Sequence, residues 1–487
     1  DPALSALIDA VQSAERDRDR LRIELAHEQS LPDEDRSSKQ EASLRDRLDA
    51  QTKAAEAARA ALARSSTGAA AAASPAAVDL LALRRSLSDR EALVTFMVGR
   101  KASFALLVRR SGVQLGRVPE TTASLGETVR ALRQSLQVRG GAPPDFDLAK
   151  AHGLYQSLFG DLSTQLDGLD HLIVAAPGAL ASLPLGLLVT RAPTRAGDYR
   201  TAAWLSQQLA ITQAPSIGSF FLLRSSGAKS SPPPRRLLAV ADPVLGGNAT
   251  QDRAKALSQI GQVCRPSGPM DRAALVALPP LPETRAEVQR VSTLLGGRGD
   301  TLLTGDAANE TQVRAQALAD YQVLYFATHG LLPGELRCQS EPGLVLTPPP
   351  AGPAAADKQN DGLLDASEVA RLRLRAALVV LSACNTAGSG TEFGGESLSG
   401  LAEAFFHAGA KSLVVSHWQV PSAATLNLMT AMFGRLSDGG TEIAQALRDA
   451  QRKLISDDRT AHPVFWAAFS VVGDGARSLG APSGDAP

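Results

Sequence analysis

The chain has 487 residues, more than one hydrophobic core usually organises, so two or three domains are expected. Hydrophobic residues make up 44% and charged residues 21%, the balance of an ordinary soluble globular protein. Basic and acidic residues number 50 each, and the resulting net charge of zero argues against electrostatic capture of nucleic acid or an anionic membrane.

The number and spacing of the cysteines favour a reducing compartment. Cys264, Cys338 and Cys384 are odd in number and widely spaced, which fits neither a disulfide framework nor a zinc-binding pattern. No apolar run approaches the roughly 20 residues that span a bilayer, and no signal peptide is visible. We therefore expect a cytoplasmic protein without membrane contact.

The first 64 residues predict a helical hairpin. Apolar residues recur at a helical period in residues 2–29 and again in residues 44–62, and Leu31-Pro32 separates the two runs. Because the apolar seam is narrow, we expect the hairpin to dock on the main body or on helices further upstream. Residues 65–78 are alanine-rich and are predicted to form a linker.

From residue 79 the pattern becomes α/β. A meander of antiparallel strands is predicted from three short apolar runs divided by polar turns, at 92–98, 103–108 and 113–118. Longer apolar runs without alternation follow at 171–175, 236–240, 321–327, 377–383 and 412–418. Helical patterns occur at 121–138, 147–159, 283–296, 309–319, 397–409, 422–437 and 441–456. Non-alternating strands separated by helices are typical of a largely parallel sheet covered on both faces.

Two reactive side chains follow two of these predicted strands. The run at 321–327 leads into His329 and Gly330, and the run at 377–383 leads into Cys384. Since reacting groups gather at the carboxyl ends of strands in an open sheet, we expect them to meet. The imidazole can take the thiol proton, the thiolate can attack a carbonyl, and nearby backbone N–H groups can hold an oxyanion. His329 lies 55 residues before Cys384, an order and spacing like those of caspases.

Seven ordered stretches carry a family resemblance. They are HLIVAAPGALASLPLGLL, LLAVADPVL, LPETRAEVQRV, VLYFATHG, DGLLDASEVARLRLRAALVVLSACNTAGSG, GGESLSGLAEAFFHAGAKSLVVSHWQV and HPVFWAAFSVVGD. Through them, most of residues 80–475 resembles the CHAT domain, a caspase-like cysteine peptidase domain that is related to separase and often follows tetratricopeptide repeats. The resemblance implies a mostly parallel caspase-like sheet flanked by helices. Residues 79–230 would form a pseudo-protease half, residues 236–476 the active half, and residues 477–487 a flexible tail.

The resemblance also implies roles for particular residues. Cys384 corresponds to the nucleophile and His329 to the base, and the amides of Gly330 and Cys384 would form the oxyanion hole. The implied reaction is the hydrolysis of peptide bonds in a protein substrate, without a metal or cofactor. It would be a bacterial endopeptidase in a defence or cell-death pathway, activated by a partner protein or a ligand.

Three further residues are candidates for the substrate pocket. Ser382 precedes the cysteine by two residues, and residues two apart share a face of a strand, so the resemblance places Ser382 in the S1 pocket. Glu396 and Asp365 are the acidic side chains expected nearest the cleft, where either could orient the imidazole or form the floor of a basic pocket.

Other interpretations of the same region remain open. A catalytically silent scaffold could keep the fold for protein binding, although both His329 and Cys384 are present. The glycine-rich residues 388–394 are one residue too long for a dinucleotide turn. Residues 357–368 match the calcium-loop template at every fixed position but one, where Gln359 stands, yet no entering helix precedes them.

Overall fold

A computed structural model gives the fold. It describes isolated positions between 10 and 25, and residues 37–65, 78–138, 143–225, 232–248, 270–332 except 298, 335–336, 341–350, 358–382 and 400–480. The three cysteines, Glu396, the glycine-rich loop and most of the predicted linker lie outside the described residues.

The described strands and helices follow in chain order. The strands are β1 (Glu91–Met97), β2 (Ser103–Arg109), β3 (Val113–Val118), β4 (His171–Ala175), β5 (Ala210–Gln213), β6 (Arg235–Pro243), β7 (Thr301–Gly305), β8 (Tyr321–Ala327), β9 (Gly330–Leu331), β10 (Gly343–Val345), β11 (Leu363–Asp365), β12 (Leu378–Leu381), β13 (Ser412–Ser416) and β14 (Phe469–Gly473). The helices are α1 (Ser38–Ser65), α2 (Leu80–Ser86), α3 (Thr122–Gln134), α4 (Leu148–Phe159), α5 (Leu205–Gln208), α6 (Ile217–Ser225), α7 (Arg272–Val276), α8 (Glu283–Leu294), α9 (Glu310–Arg314), α10 (Ala366–Ala370), α11 (Gly400–Ala408), α12 (Ser422–Leu436), α13 (Ile443–Ile455) and α14 (Pro463–Trp466).

One large sheet organises the protein. Its order over the described residues is β3-β2-β1-β4-β5-β14-β13-β12-β8-β6-β7. The β1-β2-β3 meander is antiparallel as predicted, and β14 runs antiparallel to β13. The remaining neighbours are parallel, so the mostly parallel α/β fold is confirmed. The strands up to Gln213 lie together on one side of the sheet, and β14 joins them to the strands of the later part of the chain.

Helices cover both faces of the sheet, which explains the continuous apolar runs. All seven residues of β8 are buried, and alternate side chains enter different cores. Tyr325 and Ala327 pack in the core that includes α8, α12 and α13, whereas Leu324 and Phe326 pack in the core that includes α11. Each buried side chain of this size contributes about 1.5–3 kcal/mol, so a polar substitution on either face would weaken the strand.

A buried polar network connects the first strands to β14. The Arg224 guanidinium on α6 lies 3.0 Å from Glu91 and 2.8 Å from Asp474. His171 donates from Nδ1 to Glu91 at 3.1 Å, while its Nε2 lies 2.7 Å from the Thr212 hydroxyl oxygen. Burial alone would raise the pKa of Glu91, but the hydrogen bonds from His171 and Arg224 hold it well below its usual range. The network therefore joins β1, β4, β5, α6 and the end of β14 through charged groups that stabilise one another.

The ends of the chain agree with the sequence patterns where they are described. Helix α1 spans the second run of the predicted hairpin, and its Leu44 and Ala55 are buried. The described positions between 10 and 25 are helical, and the hairpin itself stays a prediction. Residues 477–480 contact the main body: Arg477 lies 2.9 Å from Asp474, and the Gly480 carbonyl accepts from Arg236 at 3.0 Å.

Candidate active site

Strand β8 delivers His329 to the carboxyl edge of the sheet. The residues that follow β8 are held against β10: the Val345 N–H donates to the His329 carbonyl at 2.9 Å, and the Thr328 hydroxyl donates to the Val345 carbonyl. The His329 side chain is only 4% exposed. Its backbone is therefore fixed on both sides, as a residue in a precise site requires.

A backbone carbonyl orients the His329 ring. Nε2 lies 2.8 Å from the carbonyl oxygen of Pro279, which stands in the loop between α7 and α8. A carbonyl can only accept a hydrogen bond, so Nε2 carries the proton and donates it. In the neutral ring Nδ1 is then the basic nitrogen. This geometry prepares Nδ1 to accept a proton.

Gly330 begins a small antiparallel sheet beside the histidine. It lies in β9 opposite Leu344 of β10, and β10 pairs in turn with β11. Gly330 is buried. Its predicted place in an oxyanion hole stays a prediction, because Cys384 lies outside the described residues.

Strand β12 runs parallel to β8 in a constant register. The pairs extend from Leu378 with Val323 to Leu381 with Phe326, and the partners in every pair differ by 55 in residue number. The Ser382 N–H continues the ladder by donating to the Phe326 carbonyl at 2.9 Å. The described part of this strand end therefore stops two residues before the predicted nucleophile.

The Ser382 hydroxyl belongs to a buried network that sequence reasoning missed. The Tyr325 hydroxyl donates to the carboxylate of Glu287 on α8 at 2.5 Å, and the Ser382 hydroxyl is the second group that interacts with this carboxylate. Glu287 is 3% exposed, and burial raises its pKa to about 6 although both hydroxyls stabilise the ionised form. The stretch LPETRAEVQRV contains Glu287, but a helical pattern does not reveal which buried carboxylate has partners. A role for Ser382 in the S1 pocket stays a prediction.

Asp365 caps a helix. Its carboxylate accepts from the Ser367 hydroxyl at 2.7 Å and from the Glu368 N–H at 2.9 Å, and Glu368 reaches back to the Asp365 N–H. This reciprocal capping box fixes the first turn of α10. The small sheet brings Asp365 opposite Gly343, which also pairs with Leu331. A substrate contact by Asp365 stays a prediction.

The carboxylates of the calcium-like stretch contact protein groups. Asp361 accepts from the N–H groups of Leu363 and Met270 at 3.0 and 2.8 Å. Arg314 lies 3.0 Å from Glu368 and 3.2 Å from the buried Glu310. Among the residues that the structure describes, no group of three or more side chains is suited to hold a metal ion.

Two acidic side chains in this region have raised pKa values. Burial, followed by the charge of Glu368, raises the pKa of Glu310 to about 8. Burial, followed by the charge of Asp365, raises the pKa of Glu368 to about 7. Both groups therefore titrate in the physiological range although their carboxylates lie within the fold.

The chain is similar in sequence to parts of two much longer proteins. Over 342 residues the chain is 27% identical to tetratricopeptide repeat protein 28 of Homo sapiens, covering 64% of this chain and 12% of that protein. The Mus musculus protein of the same name is 30% identical over 254 residues, covering 46% of this chain and 10% of that protein. The chain thus spans about a tenth of the length of these relatives. Within the described part of the chain, no helix is long and apolar enough to cross a membrane.

Two solved structures and one family model also align with the chain. Separase from Saccharomyces cerevisiae, in complex with securin, aligns with a TM-score of 0.45 and 11% identity over 88% of this chain and 34% of that chain. The Arg-specific cysteine proteinase gingipain R aligns with a TM-score of 0.38 and 9% identity over 73% of this chain and 75% of that chain. The sequence model of the CHAT domain matches residues 148–474, well over half of the chain. The chain belongs to the CHAT domain family.

Proposed function

We propose that the protein is a CHAT-type cysteine endopeptidase in which Cys384 is the nucleophile and His329 the base. One observation carries the proposal: the register between β8 and β12. Every described pair differs by 55 residue numbers, and so do His329 and Cys384. If the register continues for three residues beyond Leu381, the thiol and the imidazole lie at the same level of two adjacent parallel strands.

The proposed chemistry begins with the nitrogen that the Pro279 carbonyl leaves basic. Nδ1 of His329 takes the proton of the Cys384 thiol, and the thiolate sulfur adds to the peptide carbonyl carbon. The amides of Gly330 and Cys384 hold the oxyanion. Collapse of this intermediate expels the amine, which takes the proton from Nδ1, and leaves a thioester on Cys384. Water then gives a proton to Nδ1, its oxygen adds to the thioester, and the departing sulfur recovers the proton.

Pro279 makes a carboxylate orienter unnecessary in this scheme. Its carbonyl already accepts the Nε2–H of His329. Glu396 and Asp365 would then serve as pocket residues, beside Ser382 in S1. The substrate would be a protein, and an activating protein or ligand would complete the cleft. A cytoplasmic bacterial enzyme of defence or cell death is the setting that we propose.

A covalent probe tests the function. The protein is incubated with a peptidyl acyloxymethyl ketone, with and without cell extract as a source of activators, and labelling of each cysteine is followed by mass spectrometry. Since general-base catalysis contributes on the order of 100-fold or more, Cys384 should react about 100-fold faster than Cys264 and Cys338. His329→Ala should remove that advantage. Equal labelling of the three cysteines in both conditions would refute the peptidase and favour the silent scaffold.

A further inference from the structure

Glu287 contacts both strands that carry the proposed dyad. The Tyr325 hydroxyl of β8 donates to its carboxylate at 2.5 Å, and the Ser382 hydroxyl at the end of β12 is its second partner. Tyr325 precedes His329 by four residues, and Ser382 precedes Cys384 by two. One carboxylate therefore interacts with both of the strand ends whose separation the chemistry depends on.

The Glu287 side chain also anchors α8 to the sheet, and the loop before α8 contacts the ring of His329. Pro279 lies four residues before Glu283, the first residue of α8, and its carbonyl accepts from Nε2 of His329. Residues 279–282 read PPLP, and three prolines in four positions leave this connection little freedom. A displacement of the first turns of α8 would therefore move the carbonyl that orients the imidazole.

Stability alone does not explain why position 287 carries a buried carboxylate. The groups that stabilise its charge are neutral hydroxyls, which compensate burial of a charge less well than a cation would. The neighbours Val288 and Val291 on α8 are apolar core residues. A leucine at position 287 could fill a similar volume without the cost of desolvation, but it could neither accept the hydrogen bond from β8 nor interact with the Ser382 hydroxyl at the end of β12.

We propose that Glu287 is a positioning residue of the dyad: its carboxylate holds β8, β12 and α8 in one arrangement and so keeps Nδ1 of His329 aimed at the thiol of Cys384. This inference rests on the proposed function. Glu287 touches neither substrate nor thiol in this scheme and acts through Tyr325, Ser382 and Pro279.

The test follows alkylation of Cys384 by iodoacetamide, a small reagent that needs no substrate pocket. Glu287→Leu keeps side-chain volume but removes the acceptor, and should slow alkylation of Cys384 relative to Cys264 on the order of tenfold, because small displacements of reacting groups are costly. Glu287→Gln keeps an acceptor oxygen and should stay within about threefold of the wild type. Gln289→Leu, an exposed change on the same helix, is the matched control and should react like the wild type.

The outcomes separate this inference from the proposed function. If Cys384 of the wild type reacts no faster than Cys264 either with or without cell extract, the proposed function fails. If it reacts faster and Glu287→Leu leaves its rate unchanged, only the positioning role fails. A purely structural role predicts equal effects of leucine and glutamine, which also contradicts the inference. Should Glu287→Leu not fold, as judged by near-ultraviolet circular dichroism, Tyr325→Phe removes the 2.5 Å hydrogen bond to Glu287 and must itself slow alkylation severalfold.

Discussion

Glu310 offers a sharp test of the electrostatics beside the small sheet. The side chain is fully buried, and its carboxylate accepts from the Gly362 N–H at 2.7 Å. Burial and the charge of Glu368 outweigh that hydrogen bond and the nearby Arg314, and raise the pKa of Glu310 from 4.5 to about 8. Glu310→Gln replaces the carboxyl group by a neutral amide of the same size, so that its ionisation no longer contributes to stability.

The sign and size of the effect follow from linkage between protonation and folding. The unfolded chain releases this proton near pH 4.5, whereas the folded chain keeps it to about pH 8. The stability that the neutral carboxyl provides is fully present below pH 4.5 and is lost as the pH rises through 8. Between pH 6 and 9 the loss amounts to about 2–3 kcal/mol in the free energy of unfolding. The glutamine variant should not show this loss.

Urea unfolding at pH 6, 7.5 and 9 measures this pH-dependent loss of stability. The free energy of unfolding of Glu310→Gln, relative to the wild type, should rise by about 2–3 kcal/mol from pH 6 to pH 9. Glu127→Gln, an exposed change on α3, is the matched control and should follow the wild type at each pH. Parallel curves for Glu310→Gln and the wild type would refute the raised pKa and the reasoning behind it.

Two further predictions concern stability, and urea unfolding at neutral pH measures both. Arg224→Met should lower the free energy of unfolding by about 3–5 kcal/mol, since it leaves the buried Glu91 without its guanidinium partner, whereas Asp474 keeps Arg477; a loss below about 1 kcal/mol would contradict this. Gly409→Ala should cost more than about 2 kcal/mol, because φ is +114° and the new Cβ would lie 2.3 Å from a backbone oxygen. Gly434→Ala, within α12 and in open space, should instead stabilise the protein by about 0.5–1 kcal/mol; similar effects of the two changes would contradict the account.

The parts of the fold that the sequence predicted are those with a strong local signal. Strands 171–175 and 321–327 occur at the predicted residues, because a strand buried on both faces is apolar throughout. The predicted strand 377–383 is shorter at both ends, as Leu378–Leu381. Strand β5 was missed because AITQ is short and half polar, and nothing local shows that it pairs with β14, more than 250 residues later.

In the candidate site, too, residues with a strong local signal could be predicted, whereas contacts between distant residues could not. His329 is a candidate from the sequence because a reactive side chain follows an apolar run. The group that orients its ring is the backbone carbonyl of Pro279, 50 residues earlier. Every residue type has a backbone carbonyl, so the sequence gives no signal for this contact. Glu287 lies 95 residues before Ser382 and was hidden in an amphipathic helix pattern. Contacts between distant elements decide such partners, and local sequence does not encode them.

Profiling of cleavage sites tests the central claim most directly. Cell lysate from the source organism is treated with the wild-type protein or with Cys384→Ala, and new peptide N-termini are identified by mass spectrometry. The peptidase account predicts a set of N-termini that depends on Cys384 and shares a P1 residue type. Identical sets of N-termini from the two proteins would contradict it.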